Sequence, residues 1–328
     1  MAVAVTGRQS RKGAVTPSTP TRPAAPRASR RTRFKRDRVL LLMMVPGILY
    51  FGIFQYIAQL GNIIAFKDYV PFIGIKDSAW VGFDNFRTLF DDPAFWHAFW
   101  NSLELAFLQL VFFFPIPLAL ALLLHSLTRN WVRKMVVSFV YLPHFISWVI
   151  VGGLFVQVLG PNGMVNGVLS SDSHHHVITL FQDPSMFKPM MIVELIWKDC
   201  GWGTIIFLAA LYQVDDNLYE AASLDGAGWG RRHWHVTLPS IRPVLILLLI
   251  LRVGDILSVG FDQVMQARDQ FGNDAAEVID TYIYYHGVST GNFSTAAVAG
   301  LFKGVIALVL VLGANKIAHK LGEQGVYK

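Results

Sequence analysis

The sequence predicts an all-α membrane protein with six transmembrane helices and both termini in the cytoplasm. Three observations carry that expectation. The 328 residues are 53% hydrophobic and only 15% charged, with a mean hydropathy of +0.44, too apolar for an ordinary soluble domain. Six apolar runs fall at 39–60, 101–124, 135–159, 190–213, 244–266 and 295–318, each near the ~20 residues a helix needs to cross about 30 Å of hydrocarbon. One long polar island, 215–243, separates the fourth run from the fifth. Continuous runs of this length read as helices, because an open sheet would leave backbone groups unpaired in lipid.

Taken in order, residues 1–38 hold eleven Lys or Arg with Pro, Ser and Thr and almost no large apolar side chains before Phe34. Such a segment buries too little surface to fold, and a disordered basic cytoplasmic tail is expected. A transit peptide fits less well, because the apolar run that follows is too long for a signal-peptide core. Residues 39–328 form the transmembrane domain. After the first run, the mixed turn and aromatic residues of 68–100 predict a short amphipathic helix near the membrane interface. The loop 160–188 contains His174, His175 and His176. Three adjacent side chains point in different directions and no carboxylate or cysteine sits at a partner spacing, so no metal site is expected. The single cysteine, Cys200, excludes an internal disulfide and reads as a small core residue. The loop 267–294 carries a segment that opens a helix leading toward the sixth run.

Charge sets the orientation. The tail, the link with Arg129, Arg133 and Lys134, the polar island with Arg231, Arg232 and Arg242, and the C-terminal end with Lys316, Lys320 and Lys328 hold 20 of the 28 Lys and Arg residues. The other face holds five, Lys67, Lys76, Arg87, Lys188 and Arg268. The positive-inside rule places the termini and the island in the cytoplasm. The net charge of +6 is therefore topological and predicts no nucleic-acid partner.

Ionisable groups inside the runs are costly unless they face protein or water. Glu194, Lys198 and Asp199 lie in the fourth run, with Glu194 and Lys198 at the i, i+4 spacing of a helical ion pair. Arg252 and Asp255 stand at i, i+3 in the fifth, and Lys303 is in the sixth. With Trp197, Trp202, Tyr282, Tyr284 and Tyr285 they are candidates to line a hydrated substrate path, the aromatics by stacking on a sugar ring. The plainer reading makes them self-paired structural charges and interfacial aromatics.

The island itself predicts a helix over about 216–224, with acidic residues where the helix dipole favours them. Gly226, Gly228 and Gly230 break it. A second helix over about 229–237 is expected to stop near Pro239, which lacks the amide donor. The result is a hairpin outside the bilayer, with Leu224, Trp234 and Leu238 packing it onto its own spans.

Here a resemblance enters. Glu220-Ala221-Ala222, Asp225-Gly226-Ala227, then Val236, Leu238, Pro239 and Pro243, in the loop before the fifth of six runs, resemble the EAA loop of permease subunits of binding-protein-dependent ABC importers. WVGFDNFRTLF before Asn101 and YLPHFIS at 141–147 look like the sugar-importer branch related to the maltose permease. PFIGIKDSAWVGFDNF and the stretch from Asp280 to Ile317 look similar to importers of polysaccharide fragments such as those from alginate or xylan. The resemblance covers 39 to the C-terminus; the maltose permease's extra N-terminal spans and large outer domain have no counterpart here.

The resemblance implies a type I ABC importer permease fold in a bacterial cytoplasmic (inner) membrane, and alternating access driven by a partner ATPase dimer. It further implies a second homologous permease, expected as a heterodimer, a solute-binding protein and an oligosaccharide cargo, with uronate oligomers among the candidates. In such proteins the hairpin is the coupling helix; here Glu220, Ala221, Ala222, Asp225, Gly226, Leu238 and Pro239 match it. No GxxxxGK[ST] occurs, so the chain is not itself an enzyme or cofactor carrier, and ATP with Mg belongs to the partner. An ion-coupled secondary transporter using the intramembrane charges is the alternative, but no internal repeat supports it. Neither HExxH nor GxSxG suggests a membrane enzyme.

Overall fold

The computed structural model describes residues 30–169, 180–323 and 325–326, of which 30–37 by backbone alone. Residues 1–29 of the expected tail and His174, His175 and His176 lie outside the described residues. The chain divides into two units, 1–60 and 61–328.

In the first unit the helix Arg30–Phe51 passes through a π-turn, Gly52–Ile57, into Ala58–Leu60. Helix therefore begins nine residues before the apolar run, because Arg and Lys are good helix formers and nothing in 30–38 breaks the backbone pattern. From Val39 to Leu60 most apolar side chains are exposed.

The second unit begins with a segment built on a short β-ladder. A two-residue ladder pairs Lys67 with Trp80 and Asp68 with Ala79. Its loop is organised around the Lys67 ammonium, which donates to the carbonyls of Ile75 at 2.6 Å, Lys76 at 3.2 Å and Ser78 at 3.3 Å. Ser294 Oγ, at the start of the last helix, donates to the Lys67 carbonyl at 2.7 Å and accepts from the Tyr69 amide at 3.0 Å. A short helix, Asp84–Phe90, follows in this segment.

The second run starts where Asp92 accepts from the Ala94 amide at 2.9 Å, capping Pro93–Leu108. It continues through a π-turn, Gln109–Phe113, into Pro115–His125. Pro115 and Pro117 lack amide donors, and the widened turn ahead of them absorbs the missing bonds.

Two of the runs read as continuous helices are broken. The third consists of Asn130–Tyr141, a 3₁₀ turn at Leu142–Phe145, extended backbone at Ile146 and Ser147, and Trp148–Leu159. Pro143 removes a donor at the point where the α-helix gives way to the 3₁₀ turn. The fifth consists of Leu238–Gly254 and Phe261–Phe271, separated at Gly260, whose φ of +99° favours glycine. The fourth, Phe187–Leu211, is unbroken over 25 residues, and the sixth is the 28-residue helix Phe293–Lys320.

Among the described residues, five helical stretches are long and apolar enough to cross a membrane: Arg38–Phe66, Pro93–His125, Trp148–Val168, Trp229–Gly254 and Phe293–Lys320. Phe187–Leu211 has the length but carries Lys188, Glu194, Lys198 and Asp199, which lower its hydropathy.

The fourth-run helix is the packing centre. A Cβ on Gly201 would collide with the Val140 carbonyl and the Tyr141 Cα, and one on Gly203 would lie 2.9 Å from the Pro117 ring. Those glycines let its backbone approach the second and third runs, the close contact that small residues give helices in membranes. Phe155, Phe187, Met191, Val264 and Phe271 pack toward one end of it, and Ala121, Phe207, Leu211 and Ile241 toward the other. Lys198 and Thr204 are buried between the two groups.

Candidate functional site

The polar island folds as a hairpin. Asp215 accepts from the Asn217 amide at 3.0 Å and caps the helix Asp216–Leu224, satisfying one of the free donors of its first turn. The helix ends at Gly226, φ +73°, where the Gly226 amide reaches the Ser223 carbonyl at 3.1 Å and the Ala227 amide reaches Ala222 at 2.9 Å. No atom lies within 4 Å of a Cβ built on Gly226, so glycine is required by the dihedral and not by crowding.

The return strand differs from expectation. Helix does not stop near Pro239: Trp229–Arg232, a π-turn at His233–Thr237 and Leu238–Gly254 form one helical stretch. Pro239 sits in the first turn after the π-turn, where a missing donor costs least. The hairpin is closed across its two arms by Tyr219 and Thr237, whose hydroxyls are 3.2 Å apart, and by Arg232 donating to Ser223 Oγ at 3.2 Å. The Tyr219 ring also meets His125 at the end of the second run.

Glu220, Ala221, Asp225, Gly226 and Pro239 are exposed, while Ala222 and Leu238 are half-buried. Leu238 packs on the cluster around Phe207 and Ile241 as expected. Leu224 and Trp234 do not pack inward; they are 90% and 70% exposed. Helix continuity through the proline turns Trp234 outward, and Leu224 occupies the outer side of the turn. The hairpin thus presents small residues flanked by exposed Leu224, Trp229 and Trp234, an apolar patch of the kind that marks a protein contact.

A second polar assembly forms at the two helix breaks. Where the third run is interrupted, the His144 carbonyl has no helical partner, and the Lys198 ammonium donates to it at 2.8 Å. The expected Glu194–Lys198 pair is therefore absent. Lys198 instead lies 3.8 Å from Asp199 and over the Trp148 ring. Asp199 Oδ1 is 2.8 Å from His144 Nδ1, and the His144 ring stacks nearly parallel on Trp202 with Tyr141 alongside. Neither His144 nor Tyr141 was a sequence candidate, since their role depends on the break that brings them beside Trp202; Pro143 was the available signal.

The break in the fifth run is met similarly. Gln109 Nε2 donates to the Val259 carbonyl at 3.1 Å, and Arg252 donates to Gln109 Oε1 at 2.5 Å. Asp199 and Asp255 lie within electrostatic range of Arg252, but among the described residues no carboxylate forms an ion pair with it. Asp255 is exposed.

The remaining candidates are dispersed. Glu194 is buried and accepts from Gln263 Nε2 at 3.0 Å, in a crevice with Gly152, Phe181 and Gln270. Trp197 packs edge-on against Phe155 and is partly exposed. Tyr284 lies against Phe261 and Tyr285. Tyr285 also holds the guanidinium of Arg268 over its ring, and Tyr282 is buried, donating to Asp92 at 2.5 Å. Lys303 donates to Asp280 at 2.5 Å, the self-paired arrangement. The structure thus brings Lys198, Asp199 and Trp202 together around His144 and leaves Glu194, Arg252, Tyr284 and Lys303 apart.

Residues 113–315, which contain the hairpin and both helix breaks but not Gln109, match the family described as binding-protein-dependent transport system inner membrane component. The chain belongs to this permease family. The permease is 45% identical over 294 residues to Protein LplB of Bacillus subtilis (strain 168), covering 89% of this chain and 92% of that one. It is 43% identical over 293 residues to the polygalacturonan/rhamnogalacturonan transport system permease protein YteP of the same organism, covering 89% and 91%. Among solved structures, a chain of a bacterial alginate ABC transporter, crystallised with an alginate pentasaccharide-bound periplasmic protein, superposes on it with a TM-score of 0.81. That match has 40% identity over 90% of this permease and 98% of that chain.

Proposed function

We propose that this permease is the membrane subunit of an ATP-driven importer that moves an acidic oligosaccharide, delivered by a binding protein, into the cytoplasm of a bacterium. The observation that carries the reading is the hairpin: a helix-turn-helix that exposes Glu220, Ala221 and Gly226 with Ala222 half-buried beside them, on a chain of a family named for binding-protein-dependent transport. All six runs cross the bilayer with both termini cytoplasmic, residues 1–38 form a basic tail, and the hairpin docks on an ATPase dimer that binds ATP and Mg. A second, different permease completes the membrane part.

In this reading, Trp202 with Tyr141 and His144 offers ring faces to sugar, and Asp199 beside His144 and Arg252 beside Gln109 supply hydrogen-bonding charge. Half-exposed ionised groups in these positions cannot face lipid at acceptable cost, which turns this side toward water or the partner permease. Acidic cargo is supported by the names of two relatives, one a polygalacturonan/rhamnogalacturonan system and one a transporter of the acidic polysaccharide alginate, and by the Arg252 guanidinium, which has no ion-pair partner among the described residues.

The test is copurification followed by uptake. The permease is expected to copurify with an ATPase and a second permease, and the reconstituted complex to take up oligouronates in preference to neutral oligosaccharides of equal length. Transport by the isolated chain, driven by an ion gradient, would overturn the reading.

A further inference from the structure

Where the hairpin leads into its transmembrane helix, Arg242 ties it to the segment after the last helix. This residue stands one turn after Leu238 and Pro239, where the hairpin becomes the helix Leu238–Gly254. Its guanidinium makes two bonds to the segment that follows Phe293–Lys320: one nitrogen donates to the Leu321 carbonyl at 3.1 Å, and Nε lies 3.2 Å from Glu323 Oε1. The receiving segment is held in shape by its own turn. Gly322 has φ +81°, and the Glu323 amide donates back to the Ala318 carbonyl at 3.1 Å, the geometry of a glycine helix stop. Beyond this contact the same two helices pack through Ile246, Ile250, Val311, Ala314 and Ala318. Gly254 closes the far end, where a Cβ would come within 3.0 Å of Val311.

We infer that Arg242 and Glu323 are positioning residues for coupling: a latch that makes the hairpin's exit and the cytoplasmic end of the last helix move as one body. The inference rests on the proposed function, since it requires the hairpin to be the element the ATPase moves. A planar guanidinium holding a carbonyl and a carboxylate together fixes orientation as well as distance, which a lysine in its place would not. Neither residue touches the outer face of the hairpin, so the latch acts on transmission and not on docking.

The experiment uses the complete complex of permease, partner permease, ATPase and binding protein in proteoliposomes, measuring ATP hydrolysis and uptake together. Arg242→Ala and Glu323→Ala are expected to retain stimulated ATP hydrolysis while uptake per ATP falls roughly threefold or more, the scale on which coupling networks respond to single changes. Arg242→Lys, which keeps the charge but loses the two-pronged grip, is expected to fall between wild type and Arg242→Ala. The exchanged pair Arg242→Glu with Glu323→Arg is expected to recover part of the ratio. An unchanged ratio in both alanine variants, or equal loss of hydrolysis and uptake with no recovery in the exchanged pair, would overturn the latch. A wild-type complex in which the binding protein fails to stimulate hydrolysis would instead remove the underlying reading, and the latch with it.

Discussion

Gly226 shows how one dihedral sets the turn of the hairpin. At φ +73° with open space around the missing Cβ, an alanine meets no steric barrier but must adopt a left-handed backbone, at about 1 kcal/mol. Gly226→Ala is expected to insert normally and to retain part of its ATPase binding. Gly226→Val, β-branched and strained there, is expected to insert equally well but lose the ATPase in copurification; loss of insertion would assign the glycine to folding instead. Lys198 makes the complementary case in the interior. Replacing it with methionine preserves volume but strands the His144 carbonyl, an expected loss of roughly 1–3 kcal/mol, read as a lower melting temperature of the purified permease. The sequence spacing pointed Lys198 to Glu194. Its actual partner is a carbonyl freed 54 residues away, in the third run, which no spacing within the fourth run reveals.

At the scale of elements, hydropathy located every apolar run but not the interruptions within them. Pro143 and Gly260 mark the two breaks in retrospect, yet proline also sits inside intact helix at Pro239 and Pro243, so the residue type alone does not separate the cases. What separates them is whether a neighbouring run supplies a side chain to the freed carbonyl: Lys198 for His144 and Gln109 for Val259. The hairpin was legible in its first helix, its cap and its glycine turn, all local chemistry. Its second arm was not, because a π-turn accommodates Pro239. The loop after the fifth run is fixed by a buried pair, Arg268 with Glu277, supported by Asn101 donating to the Glu277 carbonyl at 2.7 Å. Arg268→Ala is expected to destabilise the protein by about 3–5 kcal/mol, since it strands a buried carboxylate. Arg268→Met combined with Glu277→Leu is expected to recover most of that loss. A denaturation series on the single and double variants checks both values.

For the whole molecule the decisive question is parity. Five helical stretches meet the apolarity needed to cross a membrane, and the fourth run does not, yet its charges are matched within the protein. Lys188 reaches Glu104 at 2.6 Å, Glu194 accepts from Gln263, Lys198 reaches the His144 carbonyl, and Asp199 meets the His144 ring. A charge satisfied in this way costs far less at membrane depth than hydropathy assigns it, so the fourth run is expected to cross. Six crossings return the C-terminal end to the side of the basic tail and keep the Lys and Arg excess on one face. Five would separate them and place the hairpin with the outer loops. The single native cysteine, Cys200, is buried, which gives a direct measurement. In a Cys200→Ala background, Thr88→Cys on the exposed outer helix should react with a membrane-impermeant maleimide in intact cells. Ser10→Cys and Gln324→Cys should react only after the membrane is opened. Reaction of Gln324→Cys in intact cells, with Ser10→Cys still protected, would mean an odd number of crossings and would take the hairpin away from any cytoplasmic ATPase.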